Sequence, residues 1–195
     1  LTDPVGFFCS GIHCDVKGVR NGKLDLGIIY STKPCNAAGV FTTNDVQAAP
    51  VKYSKNLVHN SALTFRAIIA NSGNANACTG IEGISDARKT CKLVAKRLGL
   101  RQRQVAICST GVIGLPMPMM RIEPKIDGLV AGLDTNKGED VARAIMTSDT
   151  FAKEFAVEVK TPDGTFRIGG IAKGAGMIDP NMATMLGFVG TDAQI

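Results

Sequence analysis

Apolar and polar residues alternate loosely from Leu24 to Ser31, which predicts a strand. Pro34 to Asn44 reads as a turn followed by a short strand through Gly39-Val40-Phe41. Arg66-Ala67-Ile68-Ile69-Ala70 is continuously apolar after its first residue, as in a strand buried on both faces. It empties into Asn71-Ser72-Gly73-Asn74-Ala75-Asn76-Ala77-Cys78-Thr79-Gly80, a loop rich in Asn and Gly. From Ser85, a candidate N-cap, to a stop at Gly99, Ala87, Cys91, Val94 and Leu98 share one helical face. Val105 to Cys108 is another buried-type strand, and it ends in Ser109-Thr110-Gly111-Val112-Ile113-Gly114. Pro116 and Pro118 interrupt regular structure, and helical spacing returns over 124–133 and 137–146. Two strands around Pro162-Asp163-Gly164 predict a hairpin, and Met185, Leu186, Phe188 and Val189 predict a buried strand. Together these elements predict a mixed α/β (α+β) fold of layered sheets and helices.

The composition narrows the function classes. The chain has 195 residues, 45% hydrophobic and 20% charged, as expected of a globular protein able to bury a core. With no Trp and two Tyr it lacks the stacking platforms of single-stranded nucleic-acid binders. A net charge of +5 suits an anionic small molecule rather than DNA. Arg88, Lys89, Lys92, Lys96 and Arg97 lie on the outer face of the predicted helix, where a solvated surface accounts for them. None of the six cysteines forms a C-x-x-C pair, and Cys9, His13 and Cys14 lack a second ligand pair, so no metal is expected. Reduced thiols and the absence of any apolar run of membrane-spanning length predict a cytoplasmic protein with no membrane partner.

The candidate chemistry lies in the last quarter. Lys173 is followed by Gly174, so the glycine-rich segment 170–176 does not meet the P-loop pattern. No G-x-S-x-G elbow or H-E-x-x-H helix occurs. Beyond that segment Thr184 follows the small residue Ala183 and precedes an apolar run. A threonine so placed suits a self-cleaving nucleophile, because cleavage before it frees an α-amine that can take the hydroxyl proton. On the residues alone the same stretch also reads as a solvent loop entering a strand.

The order of motifs is more specific than any one of them. Gly39-Val40-Phe41-Thr42-Thr43-Asn44 with Ala49-Pro50-Val51, the loop Asn71 to Gly80, and Ser109 to Gly114 come first. Ala144-Ile145-Met146-Thr147-Ser148-Asp149-Thr150 and Lys173-Gly174 through Leu186 complete the series. The chain thereby resembles the α-chain region of the ornithine acetyltransferase family, the bifunctional glutamate N-acetyltransferases of arginine biosynthesis.

The resemblance implies a precursor that cleaves itself between Ala183 and Thr184. It implies region 1–183 as α-chain and 184–195 as the start of a β-chain that completes the fold. Thr184 would then carry acetyl in a ping-pong transfer from N-acetylornithine to glutamate. The Thr110 hydroxyl and Gly111 N–H would form the oxyanion hole, and Thr147 and Lys173, with Thr184, would bind substrate. No cofactor is implied. Acetyl-CoA is a further donor in bifunctional members, and αβ heterodimers associate into oligomers. A mature α-chain would stop at Ala183, whereas this sequence continues to Ile195. With that bond intact, Thr184 would have no free amine. From the residues themselves, Thr147 also reads as a helix-end cap and Lys173 as a solvated loop lysine. The competing enzymatic reading is a self-cleaving amidase or aminopeptidase with water as acceptor. A noncatalytic domain using the basic helix face is the alternative of a different class.

Overall fold

The computed structural model describes residues 1–19, 21–61, 64–162, 164–174, 176 and 185–193. Four strands, β1 (Phe7–Ile12), β2 (Leu26–Cys35), β3 (Phe65–Asn71) and β4 (Val105–Ser109), form one sheet in that order. β1, β2 and β3 pair antiparallel, whereas β3 and β4 run parallel. The parallel step needs a crossover, supplied by α2 (Gly80–Leu98). A second sheet is the antiparallel set β5 (Lys153–Thr161), β6 (Gly164–Lys173) and β7 (Leu186–Thr191).

Burial explains the layering. One face of the first sheet, through Leu26, Ile28, Ala67, Ile69, Val105 and Ile107, packs on Ala87, Cys91 and Val94 of α2. Two short helices, α3 (Met119–Ile122) and α4 (Ile126–Ala131), add Ile122, Ile126 and Leu129 to that cluster. The other face, through Cys9, Ile29 and Ala70, meets Val141 and Ala142 of α5 (Gly138–Ala144) and then Ile171 and Phe188 of the second sheet. α1 (Ala49–Ser61) closes the β4 edge, where Ser54 Oγ donates to the Ile107 carbonyl at 2.7 Å and accepts its N–H at 3.0 Å. The expected mixed α/β class is the class observed.

Three local expectations need correction. Residues 36–44 form no strand. β2 already has β1 and β3 on its two sides, and Val40 is 79% exposed with no free edge to pair against. α2 begins at Gly80 after Thr79 rather than at Ser85. Ile81 is 89% exposed and breaks the apolar pattern, but the Asn76 side chain holds the extra turn by donating to the Gly83 carbonyl at 2.9 Å. The stop at Gly99 is as expected, with the left-handed φ of +66° that glycine adopts without strain. Thirdly, β7 is a strand but not a buried one, because Phe188 and Gly190 point inward while Val189 is exposed. β1 and α1 had no counterpart among the predicted elements.

Candidate active site

The parallel pairing of β3 and β4 sets their C-terminal ends side by side, so the loops after Asn71 and Ser109 meet. Three buried asparagines lace these loops together. Asn71 donates to the Asn74 carbonyl at 2.8 Å and accepts the Ser109 hydroxyl at 2.6 Å. Asn74 donates to the Leu115 and Pro116 carbonyls at 3.2 and 3.0 Å, and its Oδ1 accepts the Asn76 N–H at 2.7 Å. Backbone bonds from Thr110 to Asn71 and from Val112 to Gly73 complete the clamp. Polar groups buried in this way are satisfied, and the loops are held rigid.

Thr110 and Gly111 sit on this clamp. Gly111 has φ +131°, and a Cβ there would stand 2.4 Å from the Gly73 carbonyl carbon, so only glycine allows this approach. Lys173, at the end of β6, is 3% exposed, and its Nζ donates to Thr110 Oγ1 at 2.6 Å. It is therefore not a solvated loop lysine. An ammonium has hydrogens and no acceptor, so the Thr110 oxygen accepts and its own hydrogen remains to be given away. Among the described residues neither that hydrogen nor the Gly111 N–H has an acceptor. Burial pushes the Lys173 ammonium below the ordinary lysine pKa, against an upward push from the Asp149 carboxylate.

Thr110, Gly111, Thr147, Asp149, Lys173 and Gly174 line one open cleft of 1170 Å³. Thr147 lies just past α5, exposed toward the cleft, and its N–H reaches Asp149 Oδ2 at 3.4 Å. Asp149 Oδ1 accepts the Gly174 N–H at 3.0 Å and Lys153 Nζ at 2.5 Å. Burial raises the Asp149 carboxyl, but the Gly174 N–H, the Lys153 ammonium and the Thr147 N–H outweigh it and hold the pKa at about 2. Sequence reasoning passed over Asp149 and Lys153. The available signal was an Asp inside the quoted segment 144–150 with a Lys four residues later.

Ala183 and Thr184 lie outside the described residues. Their described flanks are close together: β6 and β7 pair through Lys173 and Leu186, and a Cβ on Gly174 would touch Met185 Cγ at 3.5 Å. Neither His13 nor His59 lines the cleft. Among the described residues all six cysteines are free, and no helix is long and apolar enough to cross a membrane. Chemically, the arrangement offers two adjacent hydrogen-bond donors beside a buried cation at a cleft wide enough for an amino-acid derivative.

Comparison with known proteins gives a consistent picture. The family model described as "ArgJ family" matches residues 8–195. The "Arginine biosynthesis bifunctional protein ArgJ" of Symbiobacterium thermophilum is 48% identical over 195 residues, covering 100% of this chain and 48% of that relative. The protein of the same name from Geobacter sulfurreducens is 50% identical over 191 residues, covering 97% and 47%. The chain thus spans about half the length of the curated relatives it matches. Among solved structures, arginine biosynthesis bifunctional protein ArgJ from Bacillus halodurans superposes with a TM-score of 0.85 at 38% identity, covering 93% of each chain. Ornithine acetyltransferase complexed with ornithine from Mycobacterium tuberculosis gives 0.82 at 37% identity, covering 92% of this chain and 93% of that one.

Proposed function

The chain belongs to the ArgJ family, and from that premise we propose that it is the nucleophile-bearing part of an acetyltransferase of arginine biosynthesis. It takes acetyl from N-acetylornithine and gives it to glutamate. The observation that carries this reading is the meeting of Thr110, Gly111, Thr147 and Lys173, from three separate parts of the sequence, in one cleft. The relatives' names and the ornithine complex of the Mycobacterium tuberculosis enzyme support the choice of substrates.

Self-cleavage between Ala183 and Thr184 frees the threonine amine. That amine takes the proton of the Thr184 hydroxyl, whose oxygen attacks the acetyl carbonyl carbon of N-acetylornithine. The oxyanion so formed receives hydrogen bonds from the Thr110 hydroxyl and the Gly111 N–H. Collapse breaks the amide C–N bond, and the proton passes to the departing nitrogen, leaving ornithine and acetyl-Thr184. The glutamate amine then attacks the ester, and N-acetylglutamate leaves with the threonine restored. Lys173 holds its ammonium against Thr110, orienting the hydroxyl hydrogen toward the reacting oxygen, and adds positive charge for a substrate carboxylate. Thr147 supplies a directional hydrogen bond from the opposite wall.

A β-chain from the same precursor completes the site, and the αβ units assemble further in the cytoplasm. The match of this chain to a solved chain of similar length, set beside curated relatives about twice as long, supports a two-chain product. Acetyl-CoA is a second donor in this reading. The test is to incubate the mature full-length protein with N-acetylornithine, with and without glutamate. Without glutamate, ornithine release is expected to stop at one equivalent per site, and turnover beyond that is expected to require glutamate. Continued turnover in the absence of glutamate would replace the transferase with an amidase.

A further inference from the structure

We propose that Asp149 is a positioning residue for the reaction. Its carboxylate fixes the backbone at Thr147 to the Gly174 end of β6 and so sets the gap across which the substrate is gripped. This rests on the substrate-binding roles proposed for Thr147 and Lys173.

The two walls of the cleft come from different layers. Thr147 follows α5 on the first sheet, and Lys173 ends a strand of the second. Asp149 joins them directly. Its side chain is fully buried, Oδ2 accepts the Thr147 N–H, and Oδ1 accepts both the Gly174 N–H and Lys153 Nζ. A carboxylate that accepts on both oxygens from two backbone segments fixes their separation, as a neutral or longer side chain would not. Lys153, from β5, is braced in turn with its Nζ 5.0 Å from the Phe151 ring centre. Gly174 is also the residue at which the chain leaves β6 for the segment carrying Ala183 and Thr184.

The same carboxylate is the negative charge facing Lys173, and it favours the charged amine that donates to Thr110. The other acidic groups of the cleft are engaged elsewhere. Glu139 pairs with Arg143, Asp25 accepts the Cys14 and Val16 N–H groups, and Asp15 pairs with Arg121. Lys17 and Lys23 also line the cleft and add positive charge.

Steady-state acetyl transfer by the full-length protein, followed across pH for Asp149→Asn and Asp149→Glu, tests this. Asp149→Asn is expected to lower kcat on the order of 10²-fold through misplacement. It also moves the alkaline limb of the kcat profile to lower pH, because Lys173 loses its facing charge. Asp149→Glu keeps the charge, so its limb stays in place while kcat falls. An Asn variant whose activity falls only in proportion to folded protein, with the limb unmoved, would overturn the proposal. Amide exchange in the unmutated protein provides a reading that needs no variant to fold. Gly174 and Thr147 are expected to exchange slowly and together, and exchange of either at the rate of a free loop amide would overturn the tie. Absence of acetyl transfer by the unmutated protein would sink the functional reading instead, while the exchange result still decides for or against the tie.

Discussion

The four-stranded sheet is covered on both faces, by α2 with α3 and α4 on one side and by α5 and the second sheet on the other. The three-stranded sheet presses Ile171 and Phe188 inward but leaves Phe155 74% and Val189 78% exposed on its outer face. The first sheet therefore holds most of the apolar burial, and the second is a thinner layer resting on it. Each contributes one part of the cleft. The first supplies the clamped loop with Thr110 and Gly111, and the second brings Lys173 and Gly174 over it. A rigid floor and a lighter wall, joined by Asp149 and by the Lys173–Thr110 bond, make a site whose spacing depends on a few polar contacts.

This contrast can be broken first in the core. Leu129→Ala, in the cluster under the first sheet, should destabilise the fold by about 2–5 kcal/mol, read by denaturant unfolding of the full-length protein. A change under 1 kcal/mol would mean that the first sheet is not the main store of stability. Thr110→Val should instead spare most of the stability and lower kcat by about 10²–10³-fold, because one proposed oxyanion donor is gone. Equal loss of kcat and of folded protein would deny it that role.

Acid titration sharpens the picture at the joint between the layers. The Asp149 carboxyl is held at about 2 against an ordinary value of 3.8. A depressed carboxyl contributes stability that is complete above the ordinary value and is lost as pH falls toward the folded one. The protein should therefore lose this contribution between about pH 4 and pH 2, and Asp149→Asn should flatten that part of the stability curve. The smallest effect belongs to the bare face, where Val189→Thr should shift stability by no more than about 0.5 kcal/mol. A large loss there would show that the outer face is already covered in the protein as tested.

The same contrast explains what could be read from the chain. β3, β4, α2 and the β5–β6 hairpin carry periodic or turn signals in their own residues, and they stand close to where they were expected. β1 was missed because Phe7–Ile12 mixes Cys, Ser and Gly with its apolar residues and owes its pairing to β2. α1 was missed because its sequence, APVKYSKNLVHNS, has few apolar positions and is held by contacts to the β4 edge. Thr110, Gly111, Thr147 and Lys173 were legible through family resemblance, and the structure brings them to one cleft. Asp149 was not legible as a site residue, because its role comes from backbone groups at Thr147 and Gly174 that no side-chain pattern records.

In the proposed reaction Thr184 becomes an N-terminal nucleophile that carries acetyl. Intact-mass measurement of the full-length precursor, alone, after brief exposure to N-acetylornithine without glutamate, and with Thr184→Ala, tests it most directly. Two fragments are expected, the second beginning at Thr184 and gaining the mass of one acetyl group, with an uncut chain for Thr184→Ala. A Thr184→Ala chain that still splits after residue 183 and transfers acetyl normally would contradict it.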